Sequence, residues 1–202
     1  GLGMAFLTSW LEKNRVGAWG MEWDFSLIDR FLIAGRALWF YMYKLVWPFP
    51  LIFTYPRWSI DDTLWWQYLF PLTFFLLLMV LWFIRGKVGR GPLTGILFFA
   101  GSLFPALGFI DIYPMRFSFV ADHFQYLSSI GVVVLVVSVT GRMNVWPHER
   151  IRKALAFSVL LILTGLSWNQ TRIYKNPMVL WQNTIQKNPS ARMAHYNLGL
   201  EL

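Results

Sequence analysis

Asp111-Ile-Tyr-Pro-Met-Arg-Phe-Ser-Phe-Val-Ala-Asp-His-Phe-Gln-Tyr-Leu-Ser-Ser-Ile-Gly131 is the stretch on which the reading of this chain turns. It gathers Asp111, Arg116, Asp122, His123, Gln125 and Tyr126 between two apolar runs, Leu93–Ile110 and Val132–Thr140, that carry no charge. Ionisable groups between membrane-length segments are costly unless they sit at the water boundary or line a cavity. The stretch is therefore expected to form the mouth of a site at one membrane face, framed by the rest of the chain.

The flanks bear out a membrane setting. Of 202 residues, 56% are hydrophobic and 19% aromatic, with twelve Trp and eighteen Phe, above the apolar share of a soluble domain, about 45–50%. Aromatic rings collect at bilayer interfaces. The class expected is an all-α, polytopic membrane helix bundle. The net charge of +8 is scattered over connecting loops, without a run of basic residues or an aromatic-basic motif, which argues against nucleic acid as a partner. With no Cys, disulfides, thiolate metal sites and Cys nucleophiles are excluded.

Moving outward, spans are expected over 65–84, 93–110, 124–140 and 154–168, with Pro71 kinking the first and Pro105 near the end of the second. The last is short, at roughly 22 Å of helix, and Lys153 and Trp168 could extend it by snorkelling. Residues 1–11 read as the end of a truncated membrane helix, and both chain ends look cut from a larger polypeptide. Residues 12–64 form a long loop. Within it Ser26-Leu-Ile-Asp29 has the form of a capping box, opening a helix over about 27–46 that Trp47-Pro-Phe-Pro50 stops. Arg36 and Lys44 would each cost about 2.5–3.5 kcal/mol near the centre of a span. Asp29, Arg36 and Tyr43 share one stripe, opposite Leu27, Ala34, Leu38 and Leu45. An interfacial amphipathic helix is preferred to a spanning one. Ser59-Ile-Asp-Asp62 is a second capping signal, with Asp61 and Asp62 read as capping charges.

Charge sets the topology. Arg85–Arg90 and Gly141–Lys153 are each net +3, whereas Glu12–Asp62 is net zero and Asp111–His123 is net −1. Excess Lys and Arg mark the cytoplasmic side, which places the long loop, the polar stretch and the tail outside. From Asn169 the tail turns polar and helical. A helix over Asn176–Lys187, a stop at Asn188-Pro189 and a new helix after Ser190 resemble a junction between tetratricopeptide repeats, with Trp181 and Thr184 at packing positions. The triplet Asn169-Gln-Thr171 matches a glycosylation acceptor, a pattern that arises often by chance.

No metal pattern is present, since His123, His148 and His195 lie in different segments. Ser118 lacks the surroundings of a hydrolase nucleophile. What remains is cations beside carboxylates at a membrane edge. Arg116 and His123 are candidates to hold a lipid phosphate, with Arg36 and Arg57 as further cations. Asp122 and Tyr126, four apart, would share a helix face toward a cavity or bound group. The alternative is that Asp122 pairs with Arg116 to fasten the loop.

At these residues the chain resembles a known family. Phe117–Gly131 is similar to the signature of the transmembrane and tetratricopeptide repeat-containing proteins. Asp122-His123 stands where animal relatives carry Glu-Arg, as in bacterial-type members. Gly35-Arg-Ala-Leu-Trp-Phe-Tyr41 through Pro48, and Tyr55-Pro-Arg-Trp-Ser59, resemble that family's extracytoplasmic loop, and the tail resembles its entry into the repeats. The resemblance implies a C-type glycosyltransferase membrane fold, here truncated, followed by the start of a tetratricopeptide repeat region over 169–202. It implies transfer of a sugar, mannose, from a polyprenyl- or dolichyl-phosphate donor to protein Ser or Thr, without a further cofactor. The catalytic acid would lie in a loop outside these residues, so no catalytic residue is assigned and the fragment alone is expected to be inactive. These residues would supply part of the lipid-donor cavity (Arg116, Asp122, His123, Tyr126, Arg36, Arg57) and repeats that recruit acceptor proteins. The location implied is the bacterial inner membrane, or the endoplasmic reticulum in a eukaryote, with the repeats on the extracytoplasmic side. A non-enzymatic membrane-anchored scaffold is the competing reading, and a transporter ranks below it because no complete span carries a midplane charge.

Overall fold

The computed structural model describes residues 24–142 and 149–202. The expectations for residues 1–11, for 12–23 and for the middle of the second basic loop lie outside them. Every regular element among the described residues is helical. In chain order they are α1 (Leu27–Val46), α2 (Leu69–Val88), α3 (Gly91–Leu103), α4 (Tyr126–Arg142), α5 (Glu149–Ile173), α6 (Pro177–Lys187) and α7 (Arg192–Glu201). Short 3-10 turns occupy Trp65–Tyr68, Phe104–Ala106, Tyr113–Arg116 and Asp122–Gln125.

α1 starts where its sequence signal says. The Ser26 hydroxyl accepts from the Asp29 amide at 3.1 Å, and the Asp29 carboxylate accepts from the Ser26 amide at 2.9 Å. Two orphan donors of the first turn are thereby satisfied. Its buried face runs Ile33, Ala34, Ala37, Leu38, Tyr41 and Lys44, with Arg36 and Tyr43 on the accessible side. Leu27 departs from the expected stripe and is exposed, while Lys44 is buried. The core lies between this face, Phe74 of α2, Ile96, Phe99 and Leu103 of α3, and Ile52, Tyr55, Leu107 and Val120 of the connecting segments. α1 is thus the centre of packing rather than a peripheral strap.

Three helical stretches, Trp65–Val88, Asp122–Val139 and Glu149–Ile173, are long and apolar enough to cross a membrane. The stretch expected at 93–110 is shorter, an apolar helix over Gly91–Ala106, about 24 Å long against a hydrocarbon core of about 30 Å. Pro105 tightens its end into a 3-10 turn and Gly108 follows with φ +94°, so the helix cannot run on to Ile110. The stretch expected at 154–168 is instead the long helix α5, which removes the need for snorkelling to extend it. Pro71 does not kink a span. It lies in the first turn of α2, where the missing amide costs no intrahelical bond, and the chain changes there from 3-10 to α.

α1 meets α2 at a close crossing. A Cβ added at Gly35 would fall 2.5 Å from the Pro71 nitrogen, so only glycine allows this approach. The indole of Trp39 donates to the Phe70 carbonyl at 3.0 Å beside it. α3 and α4 approach each other through Gly95 and Gly131, where a Cβ on Gly131 would come 2.9 Å from the Gly95 carbonyl. Small residues at crossings are how apolar helices pack without a hydrophobic driving force. The Ser59–Asp62 signal works differently from expectation. Asp61 closes a turn, accepting from the Thr63 amide at 2.9 Å and its hydroxyl at 2.6 Å, and the helix beyond starts without a side-chain cap.

α6 and α7 form a helical hairpin. Asn176 caps α6 by accepting from the Met178 amide at 2.9 Å, and Thr184 and Ala194 are buried between the helices. The hairpin is fixed to the loop after α1. Lys187 donates to the Leu51 carbonyl at 2.9 Å, Asn188 donates to the Thr54 carbonyl at 3.0 Å, and Trp181 meets Phe53 edge to face at 5.3 Å.

Candidate functional site

The stretch 111–125 folds as a plug against α1. Met115, Phe119, Val120, Ala121 and Gln125 are buried, because the segment carries an apolar residue on each inward turn. Ser118 donates to the Val120 carbonyl at 2.8 Å, closing the bend between the two 3-10 turns. Two contacts hold the plug to α1. Arg30 pairs with Asp111 at 2.8 Å and donates to the Gly108 carbonyl at 2.7 Å. The buried hydroxyl of Tyr41 accepts the Ala121 amide at 3.1 Å. Neither Arg30 nor Tyr41 was singled out by the sequence, since each is an unremarkable position of an amphipathic helix until its partner is known.

Asp122 takes its hydrogen bond from the Tyr55 hydroxyl at 2.8 Å, not from Arg116. The fastening role considered for Asp122 therefore holds with a different partner. Burial, then the neighbouring Asp122 charge, raise the Tyr55 pKa, so the phenol stays a neutral donor. Lys44 approaches the same group. Its ammonium donates to the Pro50 carbonyl at 2.6 Å and lies 5.3 Å from the Tyr55 ring centroid. Burial lowers the Lys44 pKa, and the Asp122 charge opposes that shift. Asp122, Tyr55 and Lys44 thus form a compact knot at the junction of α1, the following loop and the plug. Tyr126 and His123 are exposed beside it, the His123 ring edge-on to Phe124 at 4.5 Å.

The four cations proposed from sequence divide between two concavities. Arg36 lies in a groove of about 730 Å³ lined by Trp39, Phe40, Tyr43, Trp58, Trp66, Leu69, Phe70 and Thr73. Its guanidinium sits 4.5 Å from the Trp58 ring centroid, and about as near to Trp66 (6.0 Å) and Phe70 (5.9 Å) as a cation–π contact reaches. Among the described residues it makes no hydrogen bond or ion pair. Burial lowers its pKa, yet a guanidinium keeps its proton at neutral pH. The groove runs from α1 onto the first turns of α2, the start of an apolar span. A half-buried cation with five donors and aromatic walls, next to a membrane helix, is suited to an anionic headgroup carrying an apolar chain.

Arg57 and Arg116 line the second concavity, about 690 Å³, together with Thr54, Tyr113, Phe117, Asn188, Arg192, Tyr196 and Asn197. Arg57 also lies over the Phe119 ring at 5.0 Å. Arg192 of α7 was missed from sequence. It belongs to the tail, 76 positions after Arg116, and only the folding of the hairpin onto the loop brings the two to one wall. The sequence therefore named the cations of both concavities but not their grouping. Asp122 is part of neither lining. No family model, curated protein or solved structure matches this chain.

Proposed function

We propose that these residues belong to an integral membrane glycosyltransferase that passes a sugar, mannose, from a polyprenyl- or dolichyl-phosphate carrier to Ser or Thr of proteins. The observation that carries the reading is the Arg36 groove. Its guanidinium lacks a protein acceptor among the described residues, is held flat by Trp58, and adjoins the span that starts at Trp65. A carrier phosphate would meet the guanidinium bidentately, and its isoprenoid chain would follow Trp66, Leu69, Phe70 and Thr73 along the groove. In an inverting transfer the developing charge on the leaving phosphate is what a fixed cation stabilises. The general base that deprotonates the acceptor hydroxyl is assigned to sequence outside these residues, because Asp122 is engaged by Tyr55. The α6–α7 hairpin is the start of the acceptor-recruiting repeats, on the extracytoplasmic side.

The test uses full-length protein in nanodiscs and a polyprenyl phosphate as probe. Arg36→Gln is expected to weaken binding about tenfold or more, the size of a lost charge-assisted hydrogen bond, with Arg36→Lys intermediate. Unchanged affinity in Arg36→Gln sinks the assignment. The second reading, a scaffold without chemistry, is favoured by the hairpin's attachment through Lys187 and Asn188 to the membrane-side loop. Failure of the full-length protein to consume a polyprenyl-phosphate sugar would select it.

A further inference from the structure

The second concavity differs in kind from the first. Its walls come from the loop around Thr54–Arg57, the plug around Tyr113–Phe117 and the hairpin residues 188–197, without a contribution from α2, α3, α4 or α5. It is therefore open to the aqueous side and remote from the apolar spans. Three arginines, Arg57, Arg116 and Arg192, line it, and no Asp or Glu does among the described residues. Like charges at close quarters repel unless an anion joins them. Tyr113, Phe117, Met193 and Tyr196 supply apolar surface between the arginines, and Asn197 adds an amide with both donor and acceptor. Thr54 lies in the same wall, and its buried hydroxyl has no hydrogen-bond partner.

From this arrangement we propose that the concavity between plug and hairpin binds an extended acidic segment of a partner protein, Asp or Glu carboxylates meeting Arg57, Arg116 and Arg192. The volume, about 690 Å³, is that of a site taking a ligand of several hundred daltons, larger than a lone phosphate or carboxylate ion requires. Guanidinium pairs carboxylate bidentately, aromatic walls suit the flanking residues, and the Asn197 amide suits a peptide backbone. Because one wall is the hairpin and the other the membrane-side plug, a bound segment would lie across the junction. Its residues would be presented toward the membrane face that carries Arg36. This names the chemistry of the partner recruited by the repeats, the part of the functional reading on which it rests, and it is independent of sugar transfer.

The experiment measures fluorescence anisotropy of a labelled twelve-residue peptide, Ser- and Thr-containing with a central Asp-Glu pair, on full-length protein in nanodiscs. The matched peptide carries Asn-Gln instead. The acidic peptide is expected to bind at least about tenfold tighter, and Arg116→Gln or Arg192→Gln each to remove about five- to tenfold of that affinity, as for a lost bond to a charged partner. Raising salt should weaken it further. Arg192→Glu, at an exposed position where folding is not at stake, should lose the acidic peptide and gain for a Lys-Lys counterpart. Equal binding of the acidic and amide peptides overturns the acidic preference and leaves recruitment standing, whereas binding of neither overturns recruitment as well. If the triple Arg→Gln variant loses binding to phosphatidylglycerol vesicles and not to the peptide, the site is a lipid site and the proposal falls. Arg36→Gln should leave peptide affinity unchanged, which separates this outcome from that of the donor groove.

Discussion

Replacing Gly35 by Ala tests the packing on which the Arg36 groove depends. In a solvated helix this change is favourable by about 0.5–1 kcal/mol, because glycine loses more backbone freedom on ordering. Here the added Cβ would lie 2.5 Å from the nitrogen, 2.6 Å from Cδ and 2.7 Å from Cα of Pro71. Those atoms are backbone or ring and cannot rotate away. Ordinary contact starts at 3.4 Å, so α1 and α2 must part by roughly an ångström, an overpacking strain of about 1–3 kcal/mol. Strain exceeds the helix-propensity gain, and the net expectation is a loss of about 1–2 kcal/mol. The same displacement lengthens the Trp39–Phe70 bond, now 3.0 Å, and draws Arg36 away from Trp66 and Phe70. Equilibrium unfolding in mixed micelles, followed by Trp emission, measures the stability, and polyprenyl phosphate binding measures the groove. Gly199→Ala is the control, since a Cβ there meets nothing within 4 Å and should raise stability by about 0.5–1 kcal/mol. A Gly35→Ala protein as stable as wild type, with donor affinity intact, would refute the close crossing as the support of the groove.

Two further outcomes concern the knot. Tyr55→Phe removes the hydroxyl that Asp122 accepts at 2.8 Å and should cost about 1–2 kcal/mol, since the bond is to a partly buried carboxylate. Asp122→Asn, which keeps an acceptor oxygen, should cost less, and a reversed order in the same unfolding assay would reassign the bond. Lys44 gives a pH dependence. Burial holds its pKa below the usual value, so in the window between the folded value and the unfolded value of about 10.4 the unfolded chain binds more protons. Stability should therefore rise with pH through that window, and Lys44→Met should flatten the rise, read from unfolding midpoints between pH 8 and 10. An unchanged slope in Lys44→Met would place the linkage on another group.

Parts of this architecture were written locally. The Ser26–Asp29 capping box, the Asn176 cap and the stop at Asn188-Pro189 depend on atoms within a few residues of each other, and each stands where its pattern placed it. Pro71 was misjudged because its effect depends on distance from a helix start, and apolar composition does not mark that start. Asp122 was recognised as significant but given the wrong neighbour, since both Arg116 and Tyr55 are compatible with its chemistry. The choice between them follows from how the plug turns after Ser118.

Composition and periodicity alone establish an all-helical chain with apolar stretches long enough to cross a membrane, a capped amphipathic helix before them and a helical hairpin after them. These properties are settled by hydration and backbone hydrogen bonding, which act residue by residue. Tertiary structure decided that the amphipathic helix is the packing centre, that Arg36 faces an aromatic groove, and that Arg57, Arg116 and Arg192 share one wall. Such groupings join positions up to 135 residues apart in the chain, and they exist only once Gly35 lets two helices meet and the hairpin locks onto the loop. Long-range packing selects among partners that local chemistry leaves equivalent.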